Sequence, residues 1–504
     1  MAKEESSLAD RMSLRLVAIC VAIASLMFLV PLTPGFTSPI RVTGAVGLLM
    51  ALLWLTEAVP MGLTALLPLV LFPLAGIQSA EKIAAPYANS AVFLFLGGFL
   101  VAATVEKWNL HKRIAHFALR KVGTEPRRIV FAVLLVTALL SMWMSNTATT
   151  LMMTPIAVAI VTGVGRDRAA FGSPESGARL AEATLLAVAY GASLGGIGTP
   201  IGTPTNLIFL GAARELFPSI PTVSFAQWMM FGVAYLALAL PACWLVLITS
   251  ARLGKGDAIP LAQLGIGKPE RMSRAEKTTV ALCAATALLW IFRSEITVGS
   301  LTIPGWSSIF PKAKSINDST VAIAMAFLAF LLPVGSGRRL LEWSEFRKVP
   351  WDVLILFGGG FALADALETS GFSRWAGANL AFVGGWPPLL MILALCVFVT
   401  LLSEVASNVA TATAMMPVTA ALAVSIGVHP FLLMIPAVLA ASSGFMLPVA
   451  TAPNTIVYGT SLVRVKAMAR SGFALDIIAT FIITALIFLL IPRVLGINLF
   501  VPLR

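Results

Sequence analysis

Two short polar stretches interrupt apolar sequence and repeat each other. Ser141-Met-Trp-Met-Ser145-Asn146-Thr147-Ala-Thr149-Thr150 runs on to Thr154-Pro155, and Ser403-Glu-Val-Ala-Ser407-Asn408-Val409-Ala-Thr411-Ala-Thr413 runs on to Met416-Pro417. In both, a serine precedes a Ser-Asn pair by four residues, and a proline follows the serine of that pair by ten. Hydroxyl and carbonyl oxygens suit a hard cation such as Na⁺. The amide N–H and hydroxyl O–H groups beside them suit an anion. A second repeated pair follows: Pro200-Ile-Gly202-Thr203-Pro204-Thr205-Asn206 and Pro448-Val-Ala450-Thr451-Ala452-Pro453-Asn454, each six residues from proline to asparagine. Proline removes a backbone donor and glycine loosens a helix, so each stretch predicts a broken helix. Freed carbonyls at such a break can hold a cation, and the N-terminus of the half-helix beyond it offers N–H groups to an anion.

The elements that carry these motifs belong to a membrane protein. The chain has 504 residues, 58% hydrophobic and 12% charged, with a mean hydropathy of +0.93. A soluble domain carries about 25% charged residues, so this chain is read as all-α and polytopic. Apolar runs long enough to cross a hydrocarbon core of about 30 Å recur from end to end. Such runs must be helical because unpaired peptide groups in lipid are costly. The alternating strands of a lipid-embedded barrel are absent from the sequence pattern. The net charge of +12 does not point to nucleic acid, since the lysines and arginines cluster in short loops with no basic helix or aromatic RNA-binding motif. Cys20, Cys243, Cys283 and Cys396 lie far apart within apolar runs and have no metal-site spacing.

Basic loops at 108–128, 251–277 (with Lys255 and Lys268) and 335–350 place those segments and the N-terminus in the cytoplasm and the C-terminus outside. Spans are expected near 14–32, 42–57, 61–76, 91–106, 225–250, 278–294, 318–334, 351–371 and 473–496. Broken helices are expected at 180–212 and 430–462. The segment 129–163 is flanked by cationic residues at both ends (Arg166, Arg168 and Arg179 follow it), so it reads as a re-entrant hairpin with its polar tip at membrane depth. The segment 388–426 reads as a second hairpin entering from the opposite side. The expectation is about eleven transmembrane helices and two hairpins. A third repeated motif, Phe95-Leu-Gly97-Gly98-Phe99 and Phe357-Gly-Gly359-Gly360-Phe361, keeps the offset of 262 residues that relates Asn146 to Asn408. Three motifs in the same order predict inverted repeats, the organisation of secondary transporters. The divisions are 1–90 (N-terminal helices), 91–250 (first half), 251–350 (connecting region) and 351–504 (second half).

A single serine or asparagine in a membrane helix ordinarily serves interhelical hydrogen bonding; duplication with the spacing kept is what favours a site. The paired methionines Met152-Met153 and Met415-Met416 read as packing. His111, His116 and His429 fall at predicted segment ends. Glu57, Asp365, Glu368 and Glu404 are acids at or near membrane depth and hence functional candidates; Glu404, inside the second hairpin, reads equally well as an orienting partner at the hairpin base. Neither polar stretch contains lysine or arginine. An anion there would be held by neutral donors and helix ends, with cations bound first lowering the cost of admitting a carboxylate.

The paired Ser-Asn stretches, with Gly202-Thr203-Pro204-Thr205-Asn206 and Ala450-Thr451-Ala452-Pro453-Asn454 after them, resemble those of the divalent anion/sodium symporter family. That family comprises sodium-linked di- and tricarboxylate and sulfate transporters with related exchangers. The resemblance covers nearly the whole chain. It implies a homodimer in the cytoplasmic membrane, each protomer with a scaffold domain and a transport domain that moves as an elevator through the lipid. It implies two or more Na⁺, one at Ser141, Ser145, Asn146 and the Gly202 carbonyl, the other at Ser403, the Ala406 carbonyl, Asn408 and the Ala450 carbonyl. Substrate carboxylates would meet Asn146, Thr147, Thr203, Pro204, Asn408, Val409 and Thr451. Val409 stands where the family often has threonine, and Ala452 where proline is expected.

The expected activity is symport of sodium with C4-dicarboxylates (succinate, malate, fumarate) or citrate. A dicarboxylate exchanger or a sulfate transporter of the same fold is the alternative, and an ion channel a remote one. An enzyme would need a catalytic dyad or a metal motif such as His-Glu-x-x-His, which the sequence lacks.

Overall fold

The computed structural model describes residues 2–33, 35–165, 174–254, 271–298, 301–335 and 337–501. The basic residues Arg166, Arg168, Lys255 and Lys268, used above to orient the chain, lie outside the described residues. The chain is mostly helical. Ahead of the first repeat come α1 (Ala2–Ser25) and α2 (Ser38–Thr56). The first half consists of α3 (Ser90–Lys107), α4 (Leu110–Val122), the hairpin arms α5 (Pro126–Ser141) and α6 (Asn146–Gly165), the broken pair α7 (Pro174–Ile197) and α8 (Pro204–Leu216), and α9 (Phe225–Ser250). Next come α10 (Arg274–Ile291) and α11 (Asp318–Leu331). The second half repeats the order: α12 (Trp351–Thr369), α13 (Phe372–Leu380), arms α14 (Pro388–Val405) and α15 (Asn408–Ser425), the broken pair α16 (Phe431–Ala441) and α17 (Ala452–Gly459), and α18 (Val465–Leu489).

Seven helices among the described residues are long and apolar enough to cross a membrane, and eight if α12 and α13, bent by 76° at their junction, are one span. Five shorter apolar helices, at 14–29, 61–74, 146–162, 318–331 and 431–441, come from runs that the sequence pattern presents as spans or parts of them. The expectation of an all-α chain is modified in the connecting region. Two small antiparallel pairs form there, Ile296–Val298 with Leu301–Ile303 and Pro333–Gly335 with Arg338–Arg339. The last long helix begins at Val465, eight residues before the expected 473, because Arg464 already caps it in extended conformation.

The Gly-Gly motifs serve packing. A side chain at Gly97 would run into Ala322 of α11 at 2.5 Å, and one at Gly359 into Ala65, so both helices need glycine to approach a neighbour's backbone. Each broken pair lies against its own hairpin: α7 packs on α5 and α6, and α16 on α14 and α15. The pieces beyond the breaks cross over, α8 onto α15 and α17 onto α6. The two halves are therefore interlocked at the motif-bearing helices, and the apolar core runs through both of them.

Candidate functional site: two asparagine-centred oxygen clusters

Each hairpin turns within a few residues. α5 ends at Ser141 and α6 begins at Asn146; α14 ends at Val405 and α15 begins at Asn408. The turn serines cap the second arms: Ala148 N–H donates to Ser145 Oγ (3.3 Å) and Ala410 N–H to Ser407 Oγ (3.2 Å). This capping is the ordinary reason for serine at a helix start. It leaves the asparagine side chains free to reach inward.

The inward end of the Asn146 amide lies 2.8 Å from Ser141 Oγ, 3.0 Å from the Ala192 carbonyl and 3.3 Å from the Gly202 carbonyl. Asn408 repeats this, 2.8 Å from Ser403 Oγ, 3.1 Å from the Ala441 carbonyl and 3.3 Å from the Ala450 carbonyl. The serine hydroxyls donate to the same two carbonyls, Ser141 to Ala192 and Ser403 to Ala441, each at 2.7 Å. Hydrogen bonding decides which end of an amide faces inward. With nitrogen inward, the asparagine donates to the carbonyls. With oxygen inward, four oxygens face one another, an arrangement that a cation such as Na⁺ would hold together. Each tip thus offers the same oxygen set, two side-chain oxygens and two backbone carbonyls.

The breaks supply the Gly202 and Ala450 carbonyls, whereas Ala192 lies within α7 and Ala441 ends α16. Residues 198–203 separate α7 from α8, and 442–451 separate α16 from α17. Thr203 (φ −139°, ψ 145°) and Thr451 (φ −141°, ψ 150°) cap the second pieces in nearly identical extended conformation, with Pro204 and Pro453 in the first turn, where their missing N–H costs nothing. Asn206 closes the first break, its amide donating to the Gly196 (2.9 Å) and Thr199 (2.7 Å) carbonyls. Asn454 closes the second, donating to the Leu447 carbonyl at 2.9 Å. A hydroxyl pair links the halves, Thr205 to Ser442 at 2.6 Å.

Of the residues singled out in the sequence, the structure brings Ser141, Asn146 and Gly202 together, and likewise Ser403, Asn408 and Ala450. Thr203 joins the first cluster: a Cβ at Gly196 would run into Asn146 Oδ1 and sit 3.1 Å from Thr203 Cβ. Thr451 is tied instead to its own helix, accepting from Asn454 N–H at 3.1 Å. Thr147, exposed, and Val409, half-buried, follow the asparagines at the helix starts. Ala406 is buried at the end of α14 in extended conformation. Among the described residues, the groups that surround the inward ends of the asparagine amides do not include Ser145, Thr147 or the Ala406 carbonyl. Sequence reasoning missed the carbonyls of Ala192 and Ala441, for which no side chain gives a signal. It also missed the closing roles of Asn206 and Asn454, although their repeated place after the prolines was visible. Asp476 was missed too, and an acid inside an apolar run was the available signal.

Glu404 proves to hold the second break. Its Oε1 accepts from Met446 N–H (2.8 Å) and its Oε2 from Leu447 N–H (2.9 Å), while Asp476 Oδ1 accepts from Phe445 N–H (3.3 Å). Asp365 accepts from Gln78 at 2.7 Å, away from both tips.

Comparison with known proteins decides the family. The profile of the sodium:sulfate symporter transmembrane region matches residues 11–497. The chain belongs to this family. Its members are transporters, not enzymes. It is 36% identical over 466 residues to the sodium-dependent dicarboxylate transporter SdcS of Staphylococcus saprophyticus, covering 91% of this chain and 88% of that one. It is also 36% identical to SdcS of Staphylococcus aureus, covering 91% and 87%. Among solved structures, the fold resembles the YdaH transporter of Alcanivorax borkumensis (TM-score 0.59, 17% identity, 81% of this chain and 87% of that chain). It also resembles MtrF of Neisseria gonorrhoeae (TM-score 0.54, 15% identity, 81% and 83%). At these identities the likeness concerns the fold alone.

Proposed function

We propose that this family member is a sodium-coupled symporter of C4-dicarboxylates (succinate, malate, fumarate) or citrate in the cytoplasmic membrane. The observation that carries the reading is the duplicated oxygen set around Asn146 and Asn408. Two such sets make room for two sodium ions, and the relatives named as sodium-dependent dicarboxylate transporters support that substrate class. Cations bound first at the two tips place positive charge beside a place where a dianion would otherwise be dehydrated without a partner. The starts of α6 and α8 adjoin the first tip and those of α15 and α17 the second, so the positive dipole ends of four helices would face the carboxylates. Asn146, Thr147, Thr203, Asn408 and Thr451 supply the neutral donors, and Pro204 and Val409 the apolar walls.

In this reading the hairpins are re-entrant and the halves inverted. The interlocked motif helices form a transport domain that moves as an elevator against a scaffold, within a homodimer. The N-terminus is cytoplasmic and the C-terminus outside. The test is succinate uptake into proteoliposomes with and without an inward sodium gradient. Uptake that requires the gradient is expected. Uptake that ignores the gradient but needs internal dicarboxylate would make the protein an exchanger, and competition by sulfate but not by dicarboxylates would move it to sulfate transport.

A further inference from the structure

Three helix ends meet at one face of the molecule, and cations gather there. The start of α7 brings Arg179 and Glu182, the chain just beyond α9 brings Arg252, and the start of α18 brings Arg464, Lys466 and Arg470. Together they line a cavity of about 330 Å³. That is at the small end of ligand pockets, which run from about 300 to 1,000 Å³. Five cations against one carboxylate leave the lining with a net charge of +4.

The one carboxylate is already engaged. Buried Glu182 accepts from the Arg464 guanidinium through both oxygens, at 3.2 and 2.9 Å, and from the Arg464 backbone N–H at 3.0 Å. This fixes Arg464 at the rim with its side chain exposed. Arg179 pairs with Glu175, one turn back on the same helix. Among the described residues no acceptor meets the side chains of Arg252, Lys466 or Arg470. Like charges gathered beside a poorly solvated surface repel one another, and an anion between them relieves that cost.

The cavity opens onto the surface that faces lipid. On α18, Lys466, Arg470, Phe473, Ile477 and Phe481 are all exposed and follow one another by three or four residues, so they form a single stripe. Its cations come first and its apolar side chains follow. α9 has the reverse order, with Leu238 and Leu245 exposed ahead of Arg252. Both helices are long and apolar enough to cross a membrane, so these apolar side chains lie against acyl chains and the cations at headgroup level. The cluster is also one-sided. The equivalent ends in the other half, the starts of α16 and α9 and the residues ending α18 and following it, carry one lysine or arginine between them, Arg493, which donates to the Leu489 carbonyl.

We propose that this cavity binds the headgroup of an anionic phospholipid, with its phosphodiester held by Arg252, Arg464, Lys466 and Arg470. Guanidinium groups grip phosphate oxygens in pairs, and basic pockets between membrane helices select such headgroups. The apolar stripe that continues from the cations favours a lipid over free inorganic phosphate. In the orientation proposed above, the lipid belongs to the cytoplasmic leaflet. The site shares no residue with either oxygen cluster.

The test is lipid binding to the full-length, delipidated protein in detergent, followed by native mass spectrometry. Phosphatidylglycerol is titrated against phosphatidylcholine, which has the same phosphate but a compensating choline cation. Wild-type protein is expected to hold one phosphatidylglycerol about a hundredfold more tightly, roughly fivefold for each of three unpartnered cations, with the preference shrinking as salt is raised. Lys466→Gln combined with Arg470→Gln is expected to weaken phosphatidylglycerol about twenty-five-fold and phosphatidylcholine little. Arg120→Gln combined with Lys121→Gln, exposed on α4 and outside the cavity lining, is expected to change neither. Arg252→Gln, with an expected loss of about fivefold, takes the place of the first double variant if that one does not fold. No preference in the wild type, or equal losses in the two double variants, overturns the inference. Glycerophosphoglycerol, the headgroup without acyl chains, binding as tightly as the whole lipid, or inorganic phosphate displacing the lipid at equal concentration, would assign the cavity to a soluble phosphate and overturn it too. Succinate uptake plays no part in the readout, so failure here leaves the transport reading standing.

Discussion

The two halves build the same oxygen set and hold it open by different means. In the first, the break is six residues long, a glycine at 196 lies against the asparagine, and Asn206 binds two carbonyls. In the second, the break is ten residues long, the equivalent Gly444 has room around it, and carboxyl groups bind three backbone N–H groups. One pair of positions even exchanges roles. Thr199 donates its hydroxyl to the Met142 carbonyl, while at the matching places Glu404 accepts the N–H of Leu447. What the two breaks share is the need to satisfy every freed backbone group away from water. Which residue meets that need is open, so a duplicated arrangement tolerates divergent support.

The comparison can be broken most decisively at the asparagines. Asn146→Ala and Asn408→Ala are each expected to reduce proteoliposome uptake to the level of empty vesicles while the purified protein stays monodisperse. Full activity in either one would mean that its half carries no site. The next largest effect separates the halves. Gly196→Ala drives a methyl group into Asn146 Oδ1, whereas in Gly444→Ala the nearest atom is the Ser403 carbonyl oxygen at 3.4 Å. The first variant should lose most uptake and the second should keep most of it, and equal losses would show that the tips are packed alike. A smaller contrast is expected in stability. Asn206→Ala removes two hydrogen bonds and Asn454→Ala one. The costs are about 2 and about 1 kcal/mol at roughly 1 kcal/mol per bond, read from unfolding in detergent.

The smallest effect concerns the short helices after the Gly-Gly spans. His111 on α4 is buried where Ser373 stands on α13. Burial, and secondarily Lys112, pushes the imidazole from its ordinary value of 6.5 down to about 4. Protonation therefore favours the unfolded chain, so stability is complete above pH 6.5 and is lost as pH falls toward 4. His111→Ser should flatten the melting temperature across that window, and an unchanged acid slope would sink the assignment.

Much of this architecture is legible in the amino-acid sequence. The expected span at 225–250 coincides with α9, because an unbroken apolar run of that length has one solution in lipid. The two hairpin turns and the two breaks fall at the repeated Ser-Asn and Pro-to-Asn motifs, because caps, prolines and glycines act locally. The expected number of crossings is less transparent, since helices shortened by a break look in sequence like parts of longer runs. The Ala192 and Ala441 carbonyls cannot be read there at all: backbone groups have no letter of their own.

Composition and repetition alone thus determined a helical membrane chain in two related halves, with polar turns at Asn146 and Asn408. Hydropathy and helix termination depend on neighbours in sequence, which is why they could be read there. The tertiary structure decided which carbonyls meet each asparagine, that α8 and α17 cross to the opposite hairpins, that Thr205 meets Ser442 and that Asp476 and Glu404 bind the N–H groups of residues 445–447. Those partners lie tens to hundreds of residues apart along the chain, and only the packing of helices brings them within hydrogen-bond distance.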